Sequence, residues 1–249
     1  MIVSAAGRRL EVETIAGDTA RAPIVMLHEG LGSLALWRDL PRQLGERTGR
    51  TVVAYSRYGY GRSEPFAEPR EPEYMHDEAR VALPALLGAL GITSPVLFGH
   101  SDGASIALLY AADHPVTALV LEAPHVFVED LSVTSIAAVR EQYATTDLRE
   151  KLGRRHDDVD ATFRGWNDIW LDARFRAWDI TADVARIAAP VLLVQGDEDE
   201  YGTDAQLAAI ATRIPRTEIV MAAGAGHSPH RDDPELVLAR TAAFLAPLP

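Results

Sequence analysis

Apolar residues fall along this chain in short, β-branched blocks separated by longer stretches of helical spacing. The blocks are Ile24–His28, Thr51–Ser56, Val96–His100, Ala118–Ala123, Val191–Gly196 and Glu218–Ala222. A strand covered on both faces needs apolar side chains on both, so such blocks predict parallel strands inside a buried sheet. Leu10–Ile15 instead alternates polar and apolar positions and predicts an antiparallel hairpin strand at an edge. Between the blocks, Asp77–Leu90 sets Val81, Leu83, Leu86, Leu87 and Leu90 at helical spacing, with Pro84 predicting a kink. Gly103–Asp113 is rich in alanine and leucine, Thr203–Arg213 opens on a capping threonine, and Pro234–Leu245 follows two aspartates. Strand alternating with helix predicts an α/β protein with a doubly wound sheet.

One stretch breaks this rhythm. From Val126 to Asp183 no strand block appears, and the segment holds Tyr143, Phe163, Trp166, Trp170, Phe175 and Trp178. This predicts a helical cap at 126–183 inserted in a core domain formed by 1–125 and 184–249. Packing between amphipathic helices accounts for most of these aromatics, while Trp166 and Trp170 are candidates for lining a pocket. No internal repeat and no low-complexity tract is present.

Composition narrows the chemistry. A chain of 249 residues suits one α/β domain with a modest insertion. Thirty-six acidic and 24 basic residues give a net charge of −12, which repels a phosphate backbone, and no basic run offsets it; no nucleic-acid partner is expected. The absence of cysteine excludes disulfides, thiolate metal sites and a cysteine nucleophile. The start, Met1 to Arg9, has no apolar region behind a basic one, and no run approaches ~18 apolar residues. No membrane span is expected, and the reading is a cytoplasmic protein.

The strongest chemical signal is Gly99-His100-Ser101-Asp102-Gly103, a G-x-S-x-G match between a strand block and a helical run. A tight turn there forces the serine into a strained backbone conformation. Close approach of strand and helix requires small flanking residues, hence Gly99 and Gly103. Ser101 then stands at the strand end, before a helix N-terminus that favours negative charge.

On these residues the chain resembles the α/β-hydrolase superfamily, from about Leu10 to Leu245. The resemblance implies a mostly parallel eight-stranded sheet with a helical cap, and a serine, acid, histidine order along the chain. Gly224-Ala225-Gly226-His227 resembles the superfamily's G-H motif and makes His227 the base, with His230 the competitor. Gly196-Asp197-Glu198-Asp199 resembles its G-x-x-D pattern and selects Asp199 as the acid, with Glu122 the alternative after the preceding strand. The surplus acids there read as a solvated loop. His227, His230 and Asp232 make only a weak metal pattern, and no metal or cofactor is expected.

His28-Glu29-Gly30-Leu31-Gly32-Ser33 resembles the H-G-x loop that supplies one oxyanion donor, which points to the Gly30 backbone N–H; the second is the Asp102 N–H. Glu29 departs from the usual glycine. It can form structural hydrogen bonds, pair with an arginine such as Arg57, or contact substrate. The loop from Ser56 to Ser63 resembles the superfamily's R-G-x-G-x-S segment and reads as scaffold. His28 and His100 read as structural, His76, His114 and His156 as surface or packing residues, and His125 as a candidate for the pocket. The resemblance implies hydrolysis of small to medium carboxylic esters through an acyl-enzyme. Two rivals remain: a C–C bond hydrolase of aromatic ring-fission products, and a hydrolase-like protein that binds a ligand without turnover. A serine at the elbow centre excludes a dehalogenase, which needs aspartate there; Asp102 is one position off and points away.

Overall fold

The computed structural model describes all 249 residues. It opens on a hairpin: β1 (Ile2–Ala5) pairs antiparallel with β2 (Arg8–Ile15). The turn uses Ala6 and Gly7, both at positive φ (49° and 72°), the twist that suits a two-residue hairpin loop. The alternation at Leu10–Ile15 anticipated the antiparallel hairpin strand β2 but not β1, and the edge position expected for it belongs to β1, since β2 pairs on its other side with the block at Val52–Tyr55. That first strand is too short and too exposed to show a period of its own.

The doubly apolar blocks become β3 (Ile24–Leu27), β4 (Val52–Tyr55), β5 (Val96–His100), β6 (Ala118–Glu122), β7 (Val191–Gly196) and β8 (Thr217–Ala222). Together with the hairpin they form an eight-stranded sheet in the order β1-β2-β4-β3-β5-β6-β7-β8. Strands β3 to β8 pair in parallel; β2 runs antiparallel to β4. Alternate residues go to opposite faces. Val25, Leu27, Leu97, Leu119 and Leu193 join one core, while Ile24, Met26, Phe98, Val120 and Leu192 join the other.

Helix α1 (Leu40–Thr48) lies on the second face, facing the last helix of the chain across Leu44 and Val237. The stretch expected as one kinked helix from Asp77 is built otherwise. It begins as α2 (Tyr74–Asp77), widens into a π-helical turn over Glu78–Ala82, and resumes as α3 (Leu83–Leu90). Pro84 has no N–H to donate and its ring crowds the carbonyl one turn back, so the disturbance falls before the proline. Helix α4 (Asp102–Asp113) follows β5 and is buried for almost its whole length.

After β6 come α5 (Asp130–Thr145), α6 (Leu148–Gly153), α7 (Val159–Trp170) and α8 (Thr181–Val184), with a 3₁₀ turn at Ala173–Ala177. These supply the helical cap insertion. Phe163, Trp166, Ile169 and Trp170 of α7 form its buried stripe at helical spacing. Then α9 (Asp204–Ala211) precedes β8, and α10 (Pro229–Asp232) and α11 (Pro234–Leu245) close the chain. No helix is long and apolar enough to cross a membrane.

Candidate active site

The sheet delivers its chemistry at the C-terminal ends of β3, β5, β6, β7 and β8. Ser101 follows β5 at φ 53° and ψ −119°, a conformation that costs a non-glycine residue strain energy. Its N–H donates to the Glu122 carbonyl at 2.9 Å. The glycines around it are sterically required. A β-carbon at Gly103 would lie 2.0 Å from the Leu27 carbonyl oxygen, and one at Gly99 2.6 Å from the Ala104 α-carbon.

Ser101, His227 and Asp199, 126 and 28 residues apart along the chain, meet here. The Ser101 hydroxyl donates to His227 Nε2 at 2.9 Å. His227 Nδ1 donates to Asp199 Oδ1 at 2.8 Å and Oδ2 at 3.0 Å. Asp199 Oδ1 also accepts the N–H groups of Tyr201 (2.8 Å) and Gly202 (3.2 Å). Burial alone raises the Asp199 carboxyl, but the His227 hydrogen bond and charge outweigh it and hold the group below its ordinary value. The neighbouring acids, read from sequence as a solvated loop, have structural duties. Asp197 accepts the Gly224 N–H at 2.6 Å, and Glu200 accepts the His227 N–H at 3.2 Å.

Glu122, the alternative acid, does not reach His227. It is fully buried and accepts from His230 Nδ1 at 2.6 Å. His230 is thereby placed away from the serine. His100, Glu122 and His230 form a buried group whose donor atoms gather within 4.8 Å, close enough to hold a metal ion. Two of its ring nitrogens already have other work: His230 Nδ1 in the bond to Glu122, and His100 Nε2 donating to the His227 carbonyl at 2.7 Å. The group therefore braces the loop that carries His227.

Glu29 does not pair with Arg57. Its Oε1 accepts from Arg231 Nη2 at 2.8 Å, and its Oε2 lies 3.5 Å from His100 Nδ1. Arg57 instead donates to the Glu29 backbone carbonyl at 2.9 Å, and its Nη2 lies 3.8 Å from the Asp102 carboxylate. Asp102 turns its side chain toward the cap, where it accepts from Tyr74 Oη at 2.7 Å and Trp170 Nε1 at 3.2 Å. The backbone N–H groups of Gly30 and Asp102 make no hydrogen bond within the protein, and both residues border the cavity described next.

That cavity, of ≈ 250 Å³, opens beside Ser101. Its lining combines apolar side chains, among them Leu31, Ile136, Val139, Trp166 and Trp170, with polar ones such as Glu29, His125, Glu200, Tyr201 and Arg231. Burial pushes the His125 imidazole down to about 3, with the neighbouring His227 acting in the same direction, so this ring is neutral. Sequence reasoning missed Tyr74, Tyr201 and Arg231. The Tyr201 ring packs against His227 with centroids 4.7 Å apart and planes tilted by 47°, and its signal was its place directly after the acidic loop. Arg231 adjoined the second histidine of the last loop, but its partner, 202 residues away, could not be read.

Comparison with known proteins places this geometry. The Alpha/beta hydrolase family matches residues 24–240. The chain is similar to sn-1-specific diacylglycerol lipase ABHD11 of Mus musculus, 25% identical over 271 residues, covering 95% of this chain and 85% of that one. It is similar to proline iminopeptidase of Levilactobacillus brevis, 26% identical over 267 residues, covering 90% and 88%. Among solved structures, a membrane phospholipase A described as a bacterial virulence factor superposes with a TM-score of 0.82 at 20% identity, covering 99% of this chain and 85% of that one.

Proposed function

The chain belongs to the alpha/beta hydrolase family, and from that premise we propose that it is a serine esterase acting on small to medium carboxylic esters. Ser101 is the nucleophile, His227 the general base and Asp199 the group that orients and stabilises the imidazolium. The observation that carries this reading is the unbroken hydrogen-bonded run from Asp199 through His227 to Ser101, with links of 2.8 and 2.9 Å.

In the first half-reaction His227 Nε2 takes the Ser101 proton as Oγ attacks the ester carbonyl. The carbonyl oxygen becomes an oxyanion held by the Gly30 and Asp102 N–H groups. One such donor is worth roughly 3 kcal/mol of barrier. His227 returns the proton to the departing alcohol. Water, activated by the same imidazole, then releases the acid and restores the serine. The apolar side chains of the lining, Ile136, Val139, Trp166 and Trp170 among them, support an apolar acyl group. The cavity volume of ≈ 250 Å³ lies below the usual range for drug-sized ligands and supports short substrates.

The test is p-nitrophenol release from esters of graded acyl length, by the wild type and by Ser101→Ala. The substitution should cut turnover by at least about 1,000-fold. A fluorophosphonate probe should attach at Ser101, as mapped by mass spectrometry. Unchanged turnover in Ser101→Ala sinks the assignment, and greater activity on vinylogous 1,5-diketones than on any ester redirects it to C–C bond hydrolysis.

A further inference from the structure

Helix α7 carries two indoles four residues apart, which places them on one face. Each packs against one of the two residues that carry the backbone donors assigned above. Trp170 is almost wholly buried, and its Nε1–H donates to Asp102 Oδ1 at 3.2 Å and Tyr74 Oη at 3.1 Å. Trp166 lies over Gly30. A β-carbon at Gly30 would sit 2.1 Å from Trp166 Nε1 and 2.2 Å from its Cδ1. The indole nitrogen is thus within about 4 Å of the Gly30 α-carbon, given ordinary bond lengths.

The two indoles differ in one respect. Trp170 uses its N–H; Trp166 Nε1–H donates to no group in the protein, although the residue is 93% buried in the sense that only 7% of its surface is exposed. An indole N–H can only donate, and this one is not sealed in the core: unlike Nε1 of Trp37 and Trp178, it keeps accessible surface. The exposed part of Trp166 borders the cavity of Ser101, next to the Gly30 N–H, which is also without an acceptor. Two donors at close range, with no acceptor between them, fit an oxygen that carries negative charge.

We propose that Trp166 Nε1–H is a third donor to the oxyanion, completing the site formed by the Gly30 and Asp102 amides. Trp166 is then a catalytic residue supplied by the cap. Trp170 is a positioning residue, since its bond to Asp102 fixes where α7 sits over the serine. This inference rests on the serine-esterase reading.

The test uses the full-length protein and Trp166→Phe, which keeps an aromatic ring and removes the donor. Two readouts are taken: kcat and KM on a p-nitrophenyl ester, and the second-order rate of Ser101 labelling by a fluorophosphonate, whose phosphoryl oxygen occupies the oxyanion position. The expected result is a fall of about 10- to 100-fold in kcat with KM within about threefold, and a comparable fall in labelling rate. A second replacement puts a benzothiophene in place of the Trp166 indole, keeping the shape and exchanging N–H for sulfur; it should lose as much as the phenylalanine variant. Wild-type rates in the benzothiophene variant overturn the proposal, as does a rise in KM with kcat unchanged. Equal labelling of wild type and variants overturns it while leaving the serine reading intact. A wild type that neither labels nor turns over esters removes both.

Discussion

Replacing Asp102 by asparagine isolates one buried charge next to Ser101. The Asp102 carboxylate is fully buried, 3.8 Å from the equally buried Arg57 guanidinium. Asparagine keeps the volume and can keep both hydrogen bonds: its oxygen can accept from Trp170 Nε1, and its amide can donate to the Tyr74 hydroxyl oxygen. What disappears is the charge. At 3.8 Å and an effective dielectric of 20 the lost attraction is roughly 4 kcal/mol. Part is recovered, because Asp102 also repels Glu78, whose carboxyl is raised by burial and further by this neighbour. Arg57 retains its contacts to the His28 and Glu29 carbonyls. A net loss of about 3 kcal/mol follows, the low end for breaking a buried pair.

Urea denaturation at pH 7 measures it. The midpoint should fall with the slope unchanged, and Tm should drop by roughly 6–12 °C for a domain of this size. Asp102→Ala should lose more, since it strands the Tyr74 and Trp170 donors as well. If Asp102→Asn stays within about 0.5 kcal/mol of wild type, the carboxylate is not balancing Arg57 and the electrostatic account is wrong.

Acid sensitivity should trace in part to His125. Its folded-state pKa of about 3 lies below the ordinary histidine value, so the unfolded chain binds a proton that the folded one refuses. Stability from this group is complete above about pH 6.5 and declines as pH falls toward 3, by about 2 kcal/mol between pH 7 and pH 5. His125→Gln should flatten the wild-type difference between urea midpoints at those two pH values by that amount; an unaltered difference refutes the assignment. Two glycine substitutions should behave oppositely. Gly103→Ala drives a β-carbon to 2.0 Å from the Leu27 carbonyl oxygen and should yield little folded protein, whereas Gly88→Ala, at an exposed position of α3 with nothing within 4 Å, should stabilise by about 0.5–1 kcal/mol. Circular dichroism melts of both decide it, and a Gly103→Ala protein melting with the wild type contradicts the steric argument.

Much of the fold was legible because the parallel strands β3 to β7 are covered on both faces; β8, expected to be buried like them, is an edge strand that exposes Ile219 and Met221. Residues such as Val25, Val96 and Leu192 must be apolar whichever way they point, so each block announces itself without its neighbours. Elements whose form depends on a partner were less visible. Strand β1 exists because β2 offers it a register, and the π-helical turn before Pro84 reflects a carbonyl deprived of its donor rather than any property of Glu78–Ala82 themselves. The nucleophile, base and acid candidates could be named because each sits directly after a strand block, where the end of the sheet fixes position. Side chains reaching in from the cap had no such anchor. Trp166 and Trp170 were both candidates for the pocket wall, yet only their packing against Gly30 and Asp102 separates a free indole N–H from an engaged one.

Glu29 shows why a departure from pattern can be intelligible only after folding. Its two carboxylate oxygens face different loops: one accepts from Arg231, the other lies 3.5 Å from His100 Nδ1. His100 in turn donates from Nε2 to the carbonyl of His227. One carboxylate therefore joins the loop after β3, the elbow after β5 and the loop after β8. Burial would lower the His100 pKa, but the Glu29 carboxylate outweighs burial and raises it. That shift favours the doubly protonated ring, which is the form that can face a carboxylate on one side and a carbonyl on the other. With glycine at position 29 the ring would lose the carboxylate that faces its Nδ1 and raises its pKa. His227 would then be held by a loop whose supporting imidazole has no partner on its second nitrogen.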